Sequence, residues 1–147
     1  VVLDLIAHAS EQLLIVSFAA YKVPDLVRAI GEAVGRGASV RMVLEAAEES
    51  SGALTHDASK AFAALGGAVE FYVWPLECRP AGVPATLRAK ALVADARAAF
   101  ISSANLTGSA LDHNLELGIL VRGGPVPRRL ADHFSSLIGA GTLRRVG

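Results

Sequence analysis

The sequence holds one cysteine, Cys78, among 147 residues. A single thiol excludes an internal disulfide and fits a reducing compartment, so the cytoplasm is the expected location. Polar or charged residues interrupt every apolar run before it reaches the ~18 residues of a membrane span. No basic segment leads into an apolar core near the start, and a secretory signal is not expected. The chain opens on Val1 rather than Met, as expected of a piece excised from something longer. Internal repeats, low-complexity tracts and linkers are missing. No set of His, Cys and carboxylates has metal-ligand spacing, so neither a metal nor any other cofactor is expected.

What is present is mostly apolar. Hydrophobic residues make up 52% and charged residues 19%, the balance of a globular chain with one core. One domain over residues 1–147 is expected. The net charge is zero, yet residues 1–78 hold 5 Lys and Arg against 10 Asp and Glu, and residues 79–147 hold 9 against 4. A basic second half suits an anionic partner. The bland alternative is solubilising charge that interleaves on the surface.

Taken in order, Leu3 to Gln12 is amphipathic and predicts a helix. Leu13 to Phe18 is an apolar run of strand length, broken by Tyr21-Lys22-Val23-Pro24. Asp25 opens a helix with Leu26, Val27, Ile30 and Val34 on one face, ended by Gly35 and Gly37. Ser39 to Leu44 alternates as a strand. Glu45 to Thr55 is a small, acidic loop. His56 to Leu65 predicts a helix stopped by Gly66-Gly67, and Val69 to Val73 a third strand. Strand and helix in alternation imply βαβ crossovers and a mixed, mostly parallel sheet with helices on both faces. Trp74 to Thr86, with Pro75, Pro80, Gly82 and Pro84, reads as a loop.

From Leu87 to Gly118 the polar residues fall into a pattern. Two short strands flank an Asp95-Ala96-Arg97 turn, a polar loop follows, and Leu115 to Val121 predicts a third strand. Alternate residues of a strand share a face, so Arg88 pairs with Lys90, Ser103 with Asn105 and Asn114 with Glu116. Strands ending in Lys, Ser, Asn and Glu gather cationic and neutral donors with one carboxylate, a set suited to phosphate. Singly, each has an ordinary reading: a snorkelling strand lysine, a hairpin aspartate, loop polars. Glu116, between Leu115 and Leu117, requires a partner if buried. Gly123-Gly124-Pro125 then turns the chain, and Val126 to Ile138 predicts a closing helix with Leu130, Phe134, Leu137 and Ile138 inward.

Lys90-x4-Asp95, Ser103-x-Asn105 and Asn114-x-Glu116 together resemble the HxKx4D signature and downstream segment of the phospholipase D superfamily. The spacing from Arg88 to Glu116 is similar to that of its single-motif bacterial endonucleases. Ala29 to Leu44 also resembles the helix, Arg-Gly, strand segment common before that motif. The resemblance implies a phospholipase D-like α/β fold and metal-independent phosphodiester hydrolysis through a phosphohistidine, most often of nucleic acid, with DNA the expected partner. It implies that Lys90 and Asn105 bind non-bridging oxygens, that Ser103 donates to the same group, that Glu116 orients the nucleophile, and that Asp95 braces the site. The second nucleophilic half would come from another chain, as a homodimer across the motif face. The Ala- and Arg-rich style also resembles the phospholipase D-like component of the DISARM phage-defence system, a larger complex.

Two positions depart from the pattern. Ser102-Ser103 stands where the family has Gly-Ser, and Arg88 stands at the nucleophilic His. A guanidinium keeps its proton and has no free lone pair to attack phosphorus, yet it binds phosphate bidentately, and a salt bridge from Arg88 to Glu116 is expected. Of the histidines, His8, His56, His113 and His133 lack a Lys two residues on, and only His113 lies near the motif. The chain is therefore expected either to be an inactive relative of a nuclease or a non-catalytic binding or assembly subunit. An unrelated α/β domain with a chance match is the third possibility.

Overall fold

Gln12–Ser17 (β1) is the strand around which the sheet is laid. The computed structural model describes all residues except 18, 19, 22, 48–52 and 108–112, and only the backbone of Ala20 and Tyr21. The expected strand end at Phe18, Lys22 in the break and the middle of the acidic loop lie outside the described residues, as does the stretch before His113. β1 pairs in parallel with Ser39–Leu44 (β3), and β3 with Val69–Val73 (β4). On its other side β1 runs antiparallel to Ala91–Ala94 (β5), followed by Ala98–Ser102 (β6) and Gly118–Arg122 (β8). Arg144–Val146 (β9) closes the far edge against β4. The order is β8-β6-β5-β1-β3-β4-β9, with Ala20–Tyr21 (β2) and Leu106–Thr107 (β7) as a separate pair. The sheet is mixed, as expected. Its parallel part is confined to β1, β3 and β4: the loop after β4 returns the chain as β5 antiparallel to β1, and the tight hairpin at Asp95 pairs β6 antiparallel to β5.

Strand alternation distributes the core over two faces. On one, Leu13, Ile15, Val40, Met42 and Leu92 pack against Leu5 and Ile6 of Val2–His8 (α1), Leu26 and Ile30 of Pro24–Gly35 (α2), and Phe62 of His56–Phe62 (α3). On the other, Leu14, Val16, Val43, Val93 and Ala99 meet Ala131 and Phe134 of Val126–Gly139 (α4). Central strands are covered on both sides, which is why Leu13–Val16 reads as a continuous apolar run. α1 is shorter than its amphipathic stretch: the chain turns extended at Ala9, and Arg36 caps the helix end by donating to the carbonyls of Ile6 (2.8 Å) and Ala9 (3.0 Å). α3 stops at Phe62 and tightens to 3-10 geometry before Gly66, whose φ of 55° suits glycine. The loop after Val73 contains one 3-10 turn, Leu76–Cys78.

Two expected strands are shorter than their patterns. The segment before β5 is irregular as far as Lys90, since β1 pairs with it only up to Ala91. Arg88 and Ala89 are both exposed there, so the alternation of faces does not hold. The strand expected from Leu115 begins only at Gly118, opposite Ser102, where β6 ends and no further ladder partner is available. Gly118 has a specific reason to be glycine. An added Cβ would lie 2.5 Å from the Phe100 ring, which covers the bare backbone.

Candidate functional site

The ends of five strands put Ser17, Glu45, Lys90, Ser103 and Glu116 along one edge of the sheet. This is the carboxyl edge of parallel β1, β3 and β4, the usual place for ligands in open α/β sheets. Lys90 immediately precedes β5, and its carbonyl accepts the Ser102 N–H at 3.3 Å. Ser102 in turn faces Gly118 on β8. Lys90, Ser102-Ser103 and the start of β8 therefore lie abreast at the ends of three neighbouring strands, roughly 5 Å apart each. Lys90 Nζ donates to the Arg88 carbonyl at 3.3 Å, which ties the two cationic residues together.

Ser103 organises the approach to β8. Its backbone N–H donates to the Leu117 carbonyl at 3.0 Å, its Oγ accepts the Leu117 N–H at 3.1 Å, and its hydroxyl donates to the Glu116 carboxylate. Side-chain bonds thus continue the ladder after β6 has ended, and Glu116 is held without being in a strand. A pair between Arg88 and Glu116 is not among the ion pairs of the described residues; the Glu116 carboxylate accepts from the Ser103 hydroxyl. Asn105 lies on the chain that crosses back over the edge, where the Leu106 N–H donates to Ser17 Oγ at 3.1 Å. Its Oδ1 is buried with no hydrogen-bond partner among the described residues. His113 is exposed.

Asp95 is at the opposite end of β5, about 16 Å from Lys90 at strand rise. Its carboxylate accepts the N–H groups of Ser10 (3.1 Å), Glu11 (2.8 Å) and Gln12 (2.9 Å). Burial alone would raise its pKa, but those bonds and the Arg97 charge outweigh it and hold the carboxyl below its ordinary value. Asp95 and Ala96 both take positive φ (53° and 51°), making a two-residue turn of the kind that suits the twist of paired strands. Asp95 thus braces the far edge, where β1 begins.

The sequence pattern placed Glu45 in a polar loop. Here it is buried at the end of β3, with its carboxylate against the Arg79 guanidinium. The side chains of Arg79 and Glu45 are 7% and 10% exposed. Glu45 also accepts the N–H groups of Leu87 (2.6 Å) and Ala46 (2.9 Å). Arg79 donates further to the carbonyls of Trp74 (2.6 Å) and Ala85 (2.7 Å), and its guanidinium lies 5.1 Å from the Trp74 ring centroid. No spacing rule connects residues 45, 79 and 87. The only signal was an acid placed directly after an apolar strand.

Beside Glu116 the surface is apolar. Leu115 is fully exposed, Leu117 is 80% and Ile119 64% exposed, and Ile119 pairs across strands with the exposed Ile101. Among the described residues no group of three or more His, Cys, Asp or Glu is placed to hold a metal, and no helix is long and apolar enough to cross a membrane.

Known proteins give this geometry a family. The chain is similar in structure to Nuc from Salmonella typhimurium, a phospholipase D family member. The TM-score is 0.75 at 18% identity, over 99% of this chain and 88% of that one. NucT from Helicobacter pylori is similar at TM-score 0.74 and 15% identity, with the same coverages. TrmBL2, described as an archaeal chromatin protein with a novel mode of DNA binding, matches at 0.63 and 16% identity, over 98% of this chain and 48% of its own. No curated protein matches the sequence. The family model for the cardiolipin synthase, phospholipase D-like domain matches residues 2–138. The chain belongs to the phospholipase D-like family.

Proposed function

We propose that this protein binds phosphodiesters of nucleic acid, most readily DNA, at the edge carrying Arg88, Lys90, Ser103, Asn105 and Glu116, and that it does not cleave them. The observation that carries the reading is the abreast placement of Ser103 and of Lys90, two residues after Arg88, which we read as standing at the family's nucleophilic His. Lys90 and Arg88 supply charge, Ser103 supplies a hydroxyl donor, and the Asn105 amide lies close along the chain. An arginine adds affinity for phosphate but no attacking nitrogen. Asp95 has a bracing role only, at the far end of the hairpin. That a DNA-binding chromatin protein shares the fold supports nucleic acid as the ligand.

The apolar strip of Ile101, Leu117 and Ile119 supports a homodimer that brings two such edges together, since it adjoins Glu116 and a second copy would cover it. A cytoplasmic subunit of a larger phage-defence complex, similar to DISARM, would use the same non-cleaving site.

The test compares the parent chain with Arg88→His on bis-p-nitrophenyl phosphate and on single-stranded DNA, both without metal. Binding without cleavage by the parent, and cleavage by Arg88→His, is the expected result. Light scattering of the same preparations should give twice the chain mass. Cleavage by the parent would overturn the non-cleaving reading and direct attention to His113. A dimeric Arg88→His that still cleaves nothing would favour a pure binding subunit.

A further inference from the structure

Residues 88–90 lie in no strand, yet they carry the two cations of the site. Their backbone is held at its two ends. At the far end, the Ser102 N–H donates to the Lys90 carbonyl. At the near end, the Leu87 N–H donates to Glu45 at 2.6 Å, and the Leu87 side chain is buried beside Val16, Val43 and Tyr72. Arg79 supplies the counter-charge that a carboxylate buried there needs. Arg79 in turn is fixed by the carbonyls of Trp74, at the end of β4, and Ala85, two residues before Leu87. The pair therefore connects the ends of β3 and β4 to the entry of the motif.

We propose that Glu45 and Arg79 are positioning residues: a buried clamp that sets where Arg88 and Lys90 stand relative to Ser103 and Glu116. The inference rests on the phosphodiester-binding reading above. The clamp has no ligand contact of its own. It acts on affinity by holding the backbone of Leu87, so that the cations need not be ordered at the moment of binding.

The experiment measures anisotropy of a labelled single-stranded oligonucleotide with the parent chain, Lys90→Ala, Glu45→Gln, and the neutral pair Glu45→Gln with Arg79→Leu. The neutral pair leaves no unpaired buried charge and keeps the test open if Glu45→Gln alone does not fold. Circular dichroism establishes folding, and emission from Trp74, the one tryptophan, reports loss of the clamp. Clamp variants that fold should lose at least the affinity factor lost by Lys90→Ala. Adding Lys90→Ala to them should cost little more, since the two act on one interaction. The slope of log affinity against log salt should fall by about 0.7 for each phosphate no longer neutralised. A folded clamp variant with the parent's affinity and salt slope, beside a weakened Lys90→Ala, would overturn the proposal while leaving the binding reading in place. A parent chain that binds no oligonucleotide would overturn the binding reading itself, with nothing for Lys90→Ala to weaken.

Discussion

Glu45 and Glu116 are the same side chain on the same edge of the same sheet, in opposite conditions. Glu45 is buried, faces a guanidinium and two backbone N–H groups, and is closed to solvent. Glu116 is half-buried on a segment flanked by exposed leucines, and its hydrogen bond comes from a serine hydroxyl that can turn to another acceptor. The first carboxylate is fully occupied in holding backbone in place. The second keeps acceptor capacity for something that arrives. A strand-end carboxylate is therefore informative about function only once its donors are known.

The largest effect should come from breaking the closed side. Glu45→Gln leaves Arg79 buried without its counter-charge, which costs on the order of 3–5 kcal/mol. A chemical-denaturation midpoint close to that of the parent would remove the distinction between the two carboxylates. Next is Gly118→Ala, at the one tightly packed point beside the open carboxylate. The new methyl must displace the Phe100 ring, so a cost of about 1–3 kcal/mol is expected. Combining it with Phe100→Leu should recover part of that loss in the same assay.

Asp95 sharpens the comparison as a third carboxylate, held by backbone donors and exposed enough to titrate. Its folded-state pKa lies below the ordinary value of 3.8, so its contribution is complete above that value. It is lost as pH falls through the lower folded-state pKa. The stability gap between the parent and Asp95→Asn should accordingly be constant near neutrality and close below about pH 4. A gap that widened on acidification would contradict the bonding seen at the hairpin.

The smallest effect on stability belongs to Glu116→Gln. With Glu116 against Ser103 and not against Arg88, the loss should be under ~1 kcal/mol. The same substitution should tighten oligonucleotide binding, because it removes a negative charge from a phosphate site. A melting temperature several degrees lower would mean that Glu116 holds structure in place as firmly as Glu45 does.

Elements whose signals are local were legible along the chain. Apolar runs bounded by glycine and proline located β1, β3, β4, α2 and α4 to within a few residues. Asp95-Ala96 located the hairpin, and the offsets of Lys90, Ser103 and Glu116 located one edge of the sheet. The pattern overextended the strands at Leu87 and Leu115, because alternation in a chain says nothing about where the partner strand stops. That Asp95 belongs to the far edge follows from the folded sheet, in which a four-residue strand separates it from Lys90. Only there does Glu116 take Ser103 in place of Arg88. The Glu45, Arg79 and Leu87 clamp was beyond any sequence pattern for the same physical reason. Its members are brought together by strand order and by burial, and both are properties of the folded chain rather than of neighbours along it.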